Sequence, residues 1–133
     1  MGTVVDLQVS ARPGRGCAVV QVSGELDSDT RPMLEDGLGE VIDAGVRHVV
    51  LDFAGVTFVD SSGLSLLVLS LRRLDDLGGR LYLADVQKPV RTVLALSALD
   101  RVLAVYDSVA AAEDDMPPPA SESGRDNRNR PPG

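Results

Sequence analysis

The sequence predicts an α/β fold: a mixed, mostly parallel sheet opened by an antiparallel strand and packed by helices. Three features carry this expectation. Short β-branched runs alternate with helix-length apolar patterns, the first two runs are separated only by a turn-rich link, and a near-continuous apolar run lies in mid-chain. Strands separated by helices of this length favour parallel pairing with right-handed crossovers, whereas a hairpin adds an antiparallel neighbour.

The opening strands fall at 4–9 and 18–22, joined by Arg12-Pro13-Gly14-Arg15-Gly16, whose Pro and Gly suit a hairpin. Ser28-Asp29-Thr30 before Pro32 supplies an N-cap and an early-turn proline. Met33, Leu34, Leu38, Val41 and Ile42 then recur at helical spacing until Gly45, giving a first helix over about 29–44. The run 48–53 reads as the central strand, covered on both faces.

A second helix occupies 64–77, with Leu64, Leu67, Val68, Leu71 and Leu74 on its buried stripe and Gly78-Gly79 stopping it. A strand at 80–84, a third helix at 89–96, a last strand at 102–106 and a terminal helix at 107–113, capped by Asp107 or Ser108, complete the order β-β-α-β-α-β-α-β-α. Residues 1–113 form the domain. Residues 114–133, rich in Pro, Gly and charge and without an apolar residue after Ala120, are expected to be a disordered tail.

Composition removes several functional classes. With 133 residues, 44% hydrophobic and 3% aromatic, the chain builds one modest core and has no room for a second full domain. No stretch reaches the roughly 18 consecutive apolar residues of a membrane span, and the start lacks the basic-then-apolar order of a secretory signal, so a cytoplasmic location is expected, without a membrane partner. Cys17 and His48 are the only cysteine and histidine, which excludes an internal disulfide and any Cys- or His-rich metal site, and no cofactor is expected. A net charge of −7, with no basic stripe alternating with aromatics, argues against nucleic acid and for protein partners.

Several smaller features carry no function in this reading. His48 stands at a strand start without a second histidine, and Cys17 lies in an apolar context without a Lys or His to lower its pKa. Gly14-Arg15-Gly16 and Gly78-Gly79 lack the context of a phosphate-cradling loop. Arg72-Arg73, near the end of the second helix, complement its dipole or meet an acidic partner.

The strongest local signal is Phe58-Val59-Asp60-Ser61-Ser62-Gly63-Leu64, an apolar approach ending in a polar turn at the start of a hydrophobic helix. Unpaired N–H groups and the positive end of the helix dipole favour a phosphoryl group there, and Gly63 removes a side chain that would obstruct a close approach. Plain helix capping by Asp60, Ser61 or Ser62 explains the same residues. Ser23-Gly24-Glu25-Leu26-Asp27 is the second signal, with two carboxylates and a glycine able to adopt positive φ, and turn chemistry explains it equally well.

Together, Gly24-Glu25-Leu26-Asp27 and Asp60-Ser61-Ser62-Gly63-Leu64 resemble the paired signatures of the anti-sigma factor antagonist family, the STAS domain. The resemblance covers about 4–112 and includes Gly78-Gly79 and the stretch from Pro89-Val90-Arg91 to Leu96-Ser97-Ala98-Leu99. It implies a STAS-like fold and a regulatory switch that is itself no enzyme. The unphosphorylated antagonist binds an anti-sigma factor that is also a serine kinase and so frees the sigma factor; phosphorylation ends the binding, and a phosphatase reverses it. By position the phosphoserine falls on Ser61. Asp27, Asp60, Ser62 and Gly63 fall on or beside the partner surface.

Leu66 and Leu69 lie off the predicted buried stripe and are expected to be partly exposed and to dock the partner; broad burial of the helix is the alternative. Two other functional classes fit the chain. One is a STAS docking subunit of a lipid-transport complex or a stress-sensing particle. The other is a small nucleotide-binding or hydrolytic enzyme using Ser61 or Asp60, for which one His and one Cys leave no base or metal site.

Overall fold

A hairpin opens the domain in the computed structural model, which describes residues 6–117. Strand β1 (Leu7–Gly14) pairs antiparallel with β2 (Cys17–Leu26), and Gly14 faces Cys17, so the turn is only Arg15-Gly16. The link expected at 12–16 is therefore mostly strand. Its proline sits on an edge strand, where a missing N–H costs no ladder bond.

Helix α1 (Arg31–Asp43) leads to β3 (His48–Val59), and α2 (Ser61–Asp76) leads to β4 (Arg80–Ala84). Helix α3 (Lys88–Leu96), a 3-10 turn (Leu99–Arg101), β5 (Ala104–Tyr106) and α4 (Val109–Asp114) follow. The five strands lie in the order β1-β2-β3-β4-β5, with every pair after the first parallel. This is the predicted mixed sheet, with the mid-chain apolar run at its centre.

The ends of β2, expected at residue 22, and of β3, and the start of β5 also differ from expectation, each for a local reason. β3 continues to Val59 because its register with β2 continues to Leu26↔Val59 through two irregularities, one of them at Gly24. Gly24 has φ +115°, and a Cβ there would meet the Asp6 carbonyl oxygen at 2.2 Å. Only glycine permits this close crossing of β1 over the bend. β5 begins at Ala104 because the Val102 and Leu103 N–H groups bond the Leu99 carbonyl in the 3-10 turn, at 3.0 and 2.8 Å.

Alternation along the strands divides the core in two. One sheet face carries Val20, Val22, Leu26, Leu51, Phe53 and Leu83 and is covered by α1, α2 and α3. On the other face Val19, Val50 and Ala84 pack with Ala112 of α4, flanked by Tyr82, Tyr106 and Met116.

The C-terminal boundary also moves. Arg15 pairs with Glu113 and, at 2.8 Å, with Asp114; Tyr82 Oη donates to the Asp115 carbonyl at 3.2 Å, and Tyr106 Oη donates to the Asp115 carboxylate. Residues 114–116, assigned to the tail by their composition, thus pack on the domain, held by Arg15, Tyr82 and Tyr106, which lie from 9 to 99 residues away in sequence. The remainder of the expected tail, 118–133, lies outside the described residues.

Candidate functional site

Parallel pairing of β2 with β3 places the carboxyl ends of both strands side by side, so Asp27 and Asp60 follow neighbouring strands. The Asp60 N–H donates to the Leu26 carbonyl at 3.1 Å and ties the two exits together. Ligand and partner sites of open α/β sheets commonly form at such strand ends.

Asp27 organises the entrance to α1. Its Oδ1 accepts from the Asp29 and Thr30 N–H groups at 2.9 and 3.0 Å, and the buried Thr30 hydroxyl donates to the Glu25 carbonyl at 2.7 Å. This turn delays the helix to Arg31, two residues later than the sequence pattern suggested. Asp60 does the same for α2: its backbone is extended, and its Oδ1 accepts from the Gly63 N–H at 3.0 Å. Asp60 therefore caps α2, whereas Asp27 makes the turn chemistry its context allowed, ahead of a helix whose N-cap, Thr30, has no side-chain cap.

Capping by Asp60 makes Ser61 the first residue of α2, and its side chain is exposed. Gly63 N–H is bonded to the Asp60 side chain and Leu64 N–H to the Asp60 carbonyl at 2.9 Å. The N–H groups ahead of them, at Ser61 and Ser62, are the first-turn donors that a helix leaves open. Ser62 is half-buried, and its carbonyl accepts from Arg31 Nη1 at 3.2 Å.

Gly63 is buried, and its role differs from the expected one. A Cβ at this position would lie 2.8 Å from both Leu26 Cγ and Val59 Cγ1. The missing side chain lets α2 sit down on the strand ends and does not open a path to the surface.

On α2 the buried residues are Gly63, Leu66, Leu67, Ser70 and Leu74. Leu66, expected partly exposed, is 4% exposed and packed in the main core, whereas Leu69 is 53% exposed. The burial stripe is rotated because α2 packs against α1 as well as the sheet, drawing Leu66 into the seam and leaving Val68 half-buried. Leu69 forms a ridge between two shallow grooves. One, about 400 Å³, runs from Ser61 through Leu64 and Val68 to Arg72, with Leu99 on its far wall; the other, about 200 Å³, lies over Leu38, Ile42 and Leu66.

Sequence reasoning missed Arg31, which joins Ser62 to Glu35 (Nε to Oε2, 3.1 Å) across the two helix starts. Its signal was a cation in a first helical turn, where the dipole disfavours it and another partner must hold it. Leu99, which lines the groove beside Ser61, was also missed as a site residue. Of the other singular residues, burial raises the Cys17 thiol pKa, keeping it protonated. His48 opens the central strand, buried, with its pKa lowered by burial and by Arg80. Among the described residues no cluster of His, Cys, Asp and Glu could hold a metal, and no helix is long and apolar enough to cross a membrane.

Residues 8–112, which span the mixed five-stranded sheet and the capped, hydroxyl-bearing start of α2, match the family model of the STAS domain. The chain belongs to the STAS domain family. The anti-sigma F factor antagonist of Paenibacillus polymyxa is 32% identical over 105 residues, which is 78% of this chain and 90% of that protein. The anti-sigma-B factor antagonist of Staphylococcus epidermidis is 33% identical over 88 residues, covering 66% and 82%. The crystal structure of an anti-sigma factor antagonist from Mycobacterium paratuberculosis superposes with a TM-score of 0.75 at 28% identity, covering 83% of this chain and 93% of that one.

Proposed function

We propose that the protein is a cytoplasmic anti-sigma factor antagonist whose unphosphorylated form binds an anti-sigma factor that is also a serine kinase. Ser61 is the switch. The observation that carries this reading is the exposed Ser61 hydroxyl on the first residue of α2, beside Asp60 and at one end of a largely apolar groove. The names of the relatives support the antagonist function.

The mechanism follows from charge. A phosphoryl group on Ser61 adds about −1.5 to −2 at neutral pH. It lies next to the Asp60 carboxylate, whose Oδ1 already occupies the Gly63 N–H that would otherwise stabilise it. Two adjacent anions on a docking surface repel an acidic partner face and resist desolvation. A phosphatase then restores the binding form. Asp27 and Asp60 act by shaping the two loops that meet at this surface, and Ser62 acts through its carbonyl, which holds Arg31.

The test is incubation with Mg-ATP and each anti-sigma kinase of the same genome, read as intact mass. One phosphate on the wild type and none on Ser61→Ala is the expected result. No phosphate with any kinase would overturn the switch and favour a docking subunit of another assembly.

A further inference from the structure

The sheet face away from α1, α2 and α3 is only half covered. Helix α4 lies across β3, β4 and β5. Toward β1 the same face presents Gln8, Ser10, Gln21, Ser23, Asp52 and Ala54 around a concavity of about 520 Å³ that no described element fills. Along β2 and β3 these residues alternate with Val20, Val22, Leu51 and Phe53 of the main core, and so point away from it.

Strand register arranges them in rungs: Ser10 lies beside Gln21, Gln21 beside Asp52, and Gln8 beside Ser23. The outward side chains of this patch are polar or small, and its one charge is the Asp52 carboxylate. Asp52 Oδ1 accepts from the Ala54 N–H at 3.0 Å, and the carboxylate has no salt-bridge partner among the described residues. β2 and β3 pair parallel, and parallel strands are usually covered on both faces.

The chain itself supplies a cover. Asp115 is held by Tyr82 and Tyr106 on this face, and Met116 packs with Val19 and Val50, so the polypeptide beyond Pro117 begins here. Sixteen residues follow. The stretch 118–125 alone reaches up to about 26 Å, against about 14 Å for the three strand steps from β4 to β1.

Composition matches that stretch of chain to the face. Residues 125–130 read Arg-Asp-Asn-Arg-Asn-Arg, three cations and two amides to one acid on a chain of net charge −7, and no apolar residue follows Ala120. Guanidinium groups pair with carboxylates through two parallel hydrogen bonds, and Asn amides both donate to and accept from Ser and Gln. A second copy of the face would instead bring Asp52 toward a surface of its own sign.

From this we infer that residues 125–130 fold back over the open half of the sheet, with an arginine on Asp52 and asparagines on the Ser and Gln rungs. Attachment to the same chain makes the contact intramolecular, with an effective concentration on the order of millimolar. Its ionic part weakens with salt. The face lies opposite α2, so the inference is independent of the assignment of Ser61 as the switch.

The test places a nitroxide on Asn129→Cys in the full-length chain, with Cys17→Ala leaving a single thiol, and reads the loss of amide signal intensity by NMR. At low salt the loss should fall on 8–10, 21–23 and 52–54 and spare α2, and it should fade at high salt. Asp52→Asn, which retains an oxygen for the Ala54 N–H, should reduce it, as should the combined Arg125→Gln, Arg128→Gln and Arg130→Gln, which leaves every residue of the domain in place. Loss spread evenly over the surface, or centred on another face, overturns the inference. So does loss on this face that neither variant reduces. Loss in an isotope-labelled chain without nitroxide, mixed with the nitroxide-bearing chain, overturns the intramolecular contact in favour of a tail supplied by another copy.

Discussion

Arg31 Nη1 donates to the Ser62 carbonyl at 3.2 Å while its Nε holds Glu35, so one guanidinium clamps the start of α1 to the first turn of α2. Replacing it by methionine, which retains the apolar stem, should cost about 1 kcal/mol of unfolding free energy. Amide exchange in the first turn of α2 should accelerate, while exchange in β4 remains as in the wild type. Hydrogen exchange resolved by residue checks both.

Asp60→Ala removes the acceptor of the Gly63 N–H and should destabilise the domain by about 1 kcal/mol, whereas Asp60→Ser should recover most of the loss. Denaturant midpoints of the three proteins provide the comparison.

Gly63→Ala places a methyl group against Leu26 and Val59 and should cost about 1–3 kcal/mol by overpacking. Trimming Leu26 to valine in the same chain should cost less than the sum of the single changes, since the two sites share one contact. A double-mutant cycle in urea measures the difference.

Leu66→Ala and Leu69→Ala should separate fold from docking. Leu66 is buried in the seam with α1, so its truncation should cost about 2–5 kcal/mol. Leu69 is more than half exposed, so its truncation should change stability by about 0.5 kcal/mol or less and act on partner affinity instead. Chemical denaturation and a binding titration of each variant report the two effects.

His48 predicts a pH dependence. Burial and the nearby Arg80 hold its pKa below the ordinary 6.5, so the unfolded chain takes up the proton first as pH falls. This part of the stability is complete above pH 6.5 and declines below it until the folded imidazole titrates, with a slope of at most about 1.4 kcal/mol per pH unit. His48→Gln should flatten the change between pH 7.5 and 5.5, measured as denaturant midpoints across that range.

Elements with a strong apolar period were legible in the sequence: the order of strands and helices and the central place of the run from His48; the α4 cap was narrowed to Asp107 or Ser108, and it is Ser108, whose Oγ accepts from the Ala111 N–H at 3.0 Å. Features set by tertiary partners were not. Burial of Leu66 depends on α1 lying beside α2, and small residues such as Gly63 and Ser70 gave no apolar signal although both are buried. The length of β3 depends on its register with β2. At the site, the juxtaposition of Asp27 and Asp60 followed from parallel pairing, but the reach of Arg31 to Ser62 and the place of Leu99 in the groove depend on packing between elements distant in sequence.

Anchoring of Asp115 by Tyr82 and Tyr106 has a practical consequence for the geometry of any binding assay. The last described residues leave the domain from the sheet face under α4, and α2 lies on the opposite face. A surface linkage or reporter joined directly after Pro117, in a chain shortened to that residue, therefore starts from the face opposite α2. The same group joined ahead of β1 would start at Asp6, whose carbonyl crosses the bend at Gly24 beside the strand ends that carry the switch.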